Sequence, residues 1–244
     1  MGYMRFAFVA AAALLLSSCI LSPGKFVATL HIAKDRSFTF TYVGEVILLD
    51  PAAAMQQGMQ DGLSGLGDAT PTDENGDPVS NAAEVAVPAT PAAPAAETAQ
   101  QIAEGKAIAE ALSKEVGYRS AEYLGKGKFR VDYAMSGRLD RSFVYPVNLD
   151  AKSIIPWIVV EVRTDRTARV KAIAFGDPDE GMGSAAKPND QEKERSGTFT
   201  LTTDAELVMQ NNEEGTAPGP GTRVVWKVTP TSKTVPTAVV RFPG

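Results

Sequence analysis

Apolar and polar residues alternate in two runs near the start of the chain, and this period of two constrains the fold more than any other feature. The first run covers residues 25–32, the second covers residues 38–48, and the polar residues 34–37 lie between them. One face of the first run carries Phe26, Ala28, Leu30 and Ile32. Such alternation is typical of strands buried on one face, so the two runs predict an antiparallel hairpin. Gly44 interrupts the second run and predicts a β-bulge there.

The chain from residue 118 onwards is also predicted to be nearly all strand. Residues 129–135 alternate in the same way, and the polar residues 164–167 predict the turn of a second hairpin. Further strands are predicted at 142–147, 157–163, 168–175, 199–203, 206–209, 223–228 and 235–242. The polar residues 176–197 are interpreted as a loop. With the first hairpin, these runs give about nine or ten strands.

Residues 99–116 predict one long helix. Thr98 and Gln101 have the spacing of a capping box at its start, and Gly117 is a favourable residue just beyond its end. Its apolar residues fall on one stripe, formed by Ile102, Ile108, Leu112 and Val116. The fold class is therefore predicted to be α+β, a mostly antiparallel, twisted β-sheet with this helix packed on one face.

Residues 50–97 differ from the rest and are interpreted as an insertion into a single domain at 25–244. They are rich in Ala and Pro, they are acidic, and they contain no Lys or Arg. Met55, Met59, Leu63 and Leu66 have helical spacing, which leaves an amphipathic helix, a flexible flap and an ordinary linker as alternatives. Residues 73–84 place oxygen ligands as a calcium loop would, but Pro78 stands where that loop needs glycine. A polar linker is the preferred interpretation of residues 73–84.

The first eighteen residues have the features of a secretory signal peptide. Arg5 is the one charged residue before Cys19, and residues 6–16 are all apolar. A helix of that length spans only about 16 Å, too short for a hydrocarbon core of about 30 Å. This segment is therefore predicted to be a signal and not a transmembrane anchor.

Cys19 is the only cysteine of the chain, and the stretch Leu16-Ser17-Ser18-Cys19 resembles the bacterial lipobox. The resemblance implies cleavage before Cys19 and acylation of its thiol, with residues 19–24 as a short lipidated tether. The alternative is a buried or free thiol. Ile20 follows the cysteine, and inner-membrane retention in the best-known sorting rule requires Asp there, so the resemblance favours the outer membrane. The expected location is the bacterial envelope, lipid-anchored and facing the periplasm, with the folded domain close to the membrane.

Charge and the inventory of reactive residues predict a protein that is not an enzyme. Removal of residues 1–18 leaves 23 basic and 29 acidic groups, a balance that does not favour nucleic acid as a partner. His31 is the only histidine, and its position on the polar face of a strand favours a surface residue. With an acylated Cys19, one histidine offers neither a zinc site nor a Cys–His nucleophile. We therefore predict no catalytic residue, no metal site and no cofactor.

Glycine-bearing and aromatic segments also have structural interpretations. Residues 125–128 and 176–181 lack the strand-then-helix context of a phosphate loop and are predicted to be turns. Trp157 and Trp226 are predicted to be core residues rather than a ligand platform. A binding groove, where one exists, is expected between the sheet and the helix, lined by these tryptophans and Met135.

The order of hairpin, helix and a long run of strands, with Trp226 on a late strand, resembles the lipid-binding domain of mycobacterial LppM-type lipoproteins. The resemblance assigns no role to any particular residue. Three hypotheses follow: an envelope lipoprotein binding a lipid or apolar ligand, a scaffold or assembly lipoprotein binding an envelope protein, and, least favoured, a hydrolase. A closed apolar cavity would favour the first, an exposed flat patch or sheet edge the second, and a cleft with converging carboxylates the third.

Overall fold

A computed structural model describes residues 20–49, 97–146, 156–176, 194–219 and 221–244. The predicted signal peptide at 1–18, Cys19, the methionine-bearing segment 55–66, the calcium-like stretch 73–84 and most of the predicted loop at 176–197 lie outside these residues. Within them, no helix is long and apolar enough to span a membrane.

The described residues form eleven strands and one α-helix, and the predicted β-rich α+β class is confirmed. The strands are β1 (Ile20–Ile32), β2 (Ser37–Leu49), β3 (Tyr118–Gly125), β4 (Lys128–Arg138), β5 (Phe143–Tyr145), β6 (Ile158–Val162), β7 (Thr167–Lys171), β8 (Ser196–Thr203), β9 (Glu206–Gln210), β10 (Thr222–Val228) and β11 (Thr237–Arg241). The helix α1 is Ala99–Leu112, and a short 3₁₀ turn covers Ile173–Phe175.

These strands divide between two sheets instead of forming the one that was expected. The first has six strands in the order β10-β8-β1-β2-β4-β3, and the second has five in the order β5-β6-β7-β11-β9. Every pair is antiparallel except β1 and β8, which run parallel. The core lies between the inner faces of the two sheets.

The hairpin of β1 and β2 has the predicted buried face. Phe26, Ala28, Leu30 and Ile32 are all buried. β1 begins at Ile20, however, five residues before the predicted start, and Ile20 pairs with Leu49. The predicted β-bulge at Gly44 is wrong in its position. The extra residue belongs to β1, where Gly24 and Lys25 lie opposite the single residue Glu45.

Both predicted polar turns are held by the same local chemistry. The carboxylate of Asp35 accepts hydrogen bonds from the backbone N–H (2.9 Å) and the hydroxyl (2.7 Å) of Ser37. Asp165 accepts the equivalent pair from Thr167 at 3.2 and 2.5 Å. The hydroxyl bonds are the main reason that the pKa of each carboxyl lies below its ordinary value. Such Asx turns favour the tight reversals that join β1 to β2 and β6 to β7.

The predicted helix is confirmed at its start but packs by a different face. The capping box is present, with the N–H of Gln101 donating to the hydroxyl of Thr98 at 3.2 Å. The helix ends at Leu112 rather than at residue 116. Its buried residues are Gly105 and Ala109, whereas three members of the predicted stripe are exposed, namely Ile102, Ile108 and Val116.

Small residues bring α1 close to its neighbour β3. A Cβ at Gly105 would lie only 2.4 Å from the ring of Tyr123, so the helix approaches the strand at a distance that a larger side chain would prevent. The docking face is therefore set by residue size, which hydrophobic spacing does not reveal.

Candidate functional site

Aromatic rings fill the space between the two sheets. Neighbouring ring centroids in this cluster are 4.3 to 6.1 Å apart. Its members are Phe26, Phe40, Tyr42, Tyr133, Tyr145, Trp157, Phe175, Phe199 and Trp226. Rings packed in this way leave the interior occupied by the protein's own side chains.

The two tryptophans are core residues, as predicted. Trp157 is 1% exposed and Trp226 is 6% exposed. Each indole N–H is satisfied internally, by the carbonyl of Leu21 at 3.1 Å and by the side-chain oxygen of Asn211 at 3.2 Å. Among the described residues, the expected groove between sheet and helix, with these residues and Met135 as its walls, is not formed, because α1 lies against β3 and the tryptophans belong to the core.

Burial keeps the core tyrosines neutral. It raises the pKa of Tyr42 and Tyr145 well above the ordinary value, and it raises the pKa of Tyr118 to about 12. The hydroxyl of Tyr42 donates to the carbonyl of Glu45 at 2.7 Å. Phenols in this state are structural donors and do not supply a nucleophile at neutral pH.

Two open depressions are the best-formed pockets of the described residues. The first, of about 300 Å³, lies beside Trp226, and the second, of about 400 Å³, lies beside Arg241. Asn211 lines the first pocket, but its amide already holds the surrounding loops. Its oxygen accepts from Thr237 at 2.9 Å, and its nitrogen donates to Val235 at 2.7 Å. Neither depression is an enclosed apolar cavity.

The structure places none of the described residues that the sequence offered as catalytic or metal-binding candidates in a reactive site. His31 is exposed, and its Nδ1 lies 3.0 Å from the hydroxyl of Thr202, so its interpretation as a surface histidine is confirmed. Residues 125–128 form the turn between β3 and β4, also as predicted. Within the described residues, no three His, Cys, Asp or Glu side chains are grouped as metal ligands would be.

The start of β1 is fixed firmly to both sheets. Ile20 and Leu21 pair with the end of β2, and the carbonyl of Leu21 accepts the indole N–H of Trp157, which precedes β6. The N–H of Leu48 donates to Gly127 in the β3–β4 turn at 2.8 Å. We call this region, formed by residues 20–24, 46–49 and 123–128, the leading end of the domain.

The leading end presents one apolar and one cationic side chain to solvent. Leu124 is 37% exposed, and the exposed Lys126 has no ion-pair partner within the described residues. Glu97 holds the turn by accepting the N–H of Lys126 at 2.8 Å and the hydroxyl of Tyr123. Lys128 is paired with Glu194. The tip of the turn is thereby left as a small amphipathic surface.

Two further surfaces were not predicted as sites. Val27 and Val43 pair across β1 and β2 on the outer face of the six-stranded sheet, and they are 54% and 49% exposed. Arg169 and Lys171 lie on the outer face of the five-stranded sheet. The first surface had a signal in the sequence, because a valine at position 27 interrupts the polar face that Lys25 begins.

The described residues form a β-rich α+β domain of two facing sheets. Comparisons with known proteins do not assign this domain to a family. No family model matches the chain, and no curated protein matches it. Its structure is similar to the folded domain of the LppM protein of Mycobacterium tuberculosis, solved by NMR. The two chains are 13% identical over 91% of this chain and 92% of the other, with a TM-score of 0.32. The likeness to LppM-type domains expected from the sequence is found again, but a TM-score this low supports no functional argument.

Proposed function

We propose that this protein is a non-enzymatic lipoprotein of the bacterial envelope, anchored through an acylated Cys19 and facing the periplasm, with the outer membrane as its location. The observation that supports this most strongly is the start of β1 at Ile20, directly after that cysteine. Consecutive Cα atoms are about 3.8 Å apart, so the acylated residue would adjoin the folded domain with no tether between them. A domain held this close acts on something at the membrane surface.

The ligand that we propose is a lipid or another apolar molecule, bound at the leading end of the domain. Leu21 and Leu48 are half-buried there, and Leu124 is exposed. Aromatic rings occupy the interior, so the proposal places the ligand against this end and not between the sheets.

A second candidate function is that of a scaffold lipoprotein that binds another envelope protein. The exposed pair Val27 and Val43 favours it, because these apolar side chains lie directly opposite one another on the outer face of the sheet, where a partner could cover them. A Val43→Thr variant keeps the β-branched shape and removes the apolar character. Loss of a specific cross-linked partner in this variant would support the scaffold function.

The anchor is tested by mass spectrometry of the N-terminal peptide and by membrane fractionation of the full chain and of Cys19→Ala. We expect acyl mass on Cys19 and outer-membrane location for the natural sequence, and for the variant an unmodified protein that retains residues 1–18 and is absent from the outer membrane. The ligand is tested by native mass spectrometry of protein extracted from the membrane. A reproducible adduct of lipid mass that is lost on organic extraction supports the lipid function, and a clean apo mass counts against it.

A further inference from the structure

The outer face of the five-stranded sheet carries two cationic side chains on its central strand. Arg169 and Lys171 lie two residues apart on β7, where they alternate with the buried residues Ala168 and Val170. Both cationic residues are half-buried. Their Cα atoms are separated by about 6.6 Å, as for any i, i+2 pair in a strand, so both side chains can reach one small ligand.

The carboxylates on this face are engaged by other arginines. Glu161 lies opposite Arg169 in the register of β6 and β7, but its carboxylate is 3.8 Å from the guanidinium of Arg163. Glu206 accepts two hydrogen bonds from Arg241, at 2.9 and 3.1 Å. Within the part of the chain that the structure describes, neither cation of β7 forms an ion pair, although Glu161 lies directly opposite Arg169 on the neighbouring strand.

The side chain of Arg169 also has a hydrogen-bond donor without a partner among the described residues. Its Nε is buried, and it makes no hydrogen bond to any described residue. Buried donors and buried charges are nearly always paired in native proteins, because an unpaired one forfeits its hydration without replacement. Because the buried Nε is out of reach of solvent, an anionic ligand would meet the outer nitrogens of this half-buried side chain.

We infer that Arg169 and Lys171 form a binding site for a phosphate group. The planar guanidinium offers a two-pronged donor that matches a phosphate, the ammonium adds a point charge, and together they balance a doubly charged anion. Val159 and Thr237 lie opposite Lys171 on the two neighbouring strands, so among the described residues no acid is its direct register partner. The inference does not depend on acylation of Cys19.

The test uses the full-length protein in a non-ionic detergent, titrated with inorganic phosphate at constant ionic strength set by sodium chloride. We expect saturable binding by calorimetry. Arg169→Gln should weaken it by about tenfold or more, and Lys171→Gln should weaken it several-fold, because each removes a charge-assisted hydrogen bond. Arg223→Gln is the matched control, since Arg223 is an exposed arginine on the outer face of the other sheet. Circular dichroism checks that all variants fold.

Two outcomes would overturn the site: equal phosphate affinity in the natural protein and in Arg169→Gln, or equal affinity for acetate and phosphate. The source of the phosphate is distinguished with vesicles and the chain 20–244, which lacks Cys19 and the apolar segment before it. Retention on vesicles that contain phosphatidic acid but not on pure phosphatidylcholine, lost in Arg169→Gln, assigns a lipid headgroup. Phosphate binding with no vesicle preference assigns free phosphate, and binding to neither probe refutes the inference.

Discussion

Gly44→Ala should destabilise the protein because β1 and β2 approach too closely at this position for a side chain. A Cβ at Gly44 would lie 2.4 Å from the carbonyl oxygen of Lys25 and 2.6 Å from the Cα of Phe26. Both are backbone atoms beside the β1 bulge, so no side-chain rotation relieves the contact. Ordinary carbon contacts lie at about 3.5–4.0 Å, so the strands must separate by roughly 1 Å.

The magnitude follows from two opposing effects. Replacement of glycine by alanine within a strand stabilises by about 0.5–1 kcal/mol through the unfolded chain. Overpacking costs about 1–3 kcal/mol, and a backbone clash belongs at the upper end of that range. We therefore expect a net loss of about 2 kcal/mol in the free energy of unfolding, which corresponds to a fall in Tm of about 4–8 °C for a domain of this size.

Urea unfolding followed by circular dichroism measures the effect, and Gly137→Ala is the matched control. Gly137 lies in β4 of the same sheet, and its added Cβ would meet only the ring of Phe38, at 3.1 Å. We expect this variant to be within about 1 kcal/mol of the natural protein, because one ring can shift slightly. If Gly44→Ala were as stable as Gly137→Ala, the close approach of β1 and β2 described above would be wrong.

Three further predictions concern the core, the pH response and the anchor. Trp157→Phe removes the hydrogen bond to Leu21 and should cost about 1–3 kcal/mol with faster amide exchange at the start of β1, whereas unchanged exchange there would contradict the assigned bond. Folding raises the pKa of Tyr118 from 10.0 to about 12, so its contribution is complete below pH 10 and declines by up to about 3 kcal/mol as the pH rises towards 12. In the difference between the natural protein and Tyr118→Phe, absorbance at 295 nm and circular dichroism should then change together, and ionisation of Tyr118 near pH 10 with the fold intact would refute this. Ten Gly and Ser residues inserted after Cys19 add about 17 Å of flexible reach and should leave the stability of the domain unchanged. A polarity-sensitive dye attached to the cysteine of Lys126→Cys should shift to the blue in vesicles when it contacts the membrane, and the insertion should abolish that shift.

Local features of the fold could be predicted from the sequence because each depends on residues that are close together in the chain. Alternation located the buried face of β1, and the capping box at Thr98 located the start of α1. The division into two sheets was not readable, because β1 pairs in parallel with β8 from far along the chain. The docking face of α1 was also missed, since it depends on how closely Gly105 approaches Tyr123.

The candidate phosphate site could not be predicted from the sequence either. Arg169 and Lys171 look like the solvated face of an ordinary strand when they are seen in sequence. Their lack of an ion-pair partner emerges only from the structure, where Glu161 lies opposite Arg169 but its carboxylate is 3.8 Å from the guanidinium of Arg163. Charge balance on a sheet face is a property of pairing between strands, and a list of charges along one strand does not contain it.

The position of β1 explains why an anchor at Cys19 would have consequences for the whole domain. β1 pairs with β2 on one side and β8 on the other, and Trp157 fixes its start to the second sheet. Its thirteen residues span about 43 Å, so the turn at Lys34 lies roughly that far along the strand from its first residue. A chain anchored through Cys19 without a tether would therefore have its leading end at the membrane surface, and the turn at Lys34 would lie at most about that distance away. Ligands drawn from the membrane would meet the leading end, whereas soluble partners would meet the turn at Lys34 and the outer faces of both sheets.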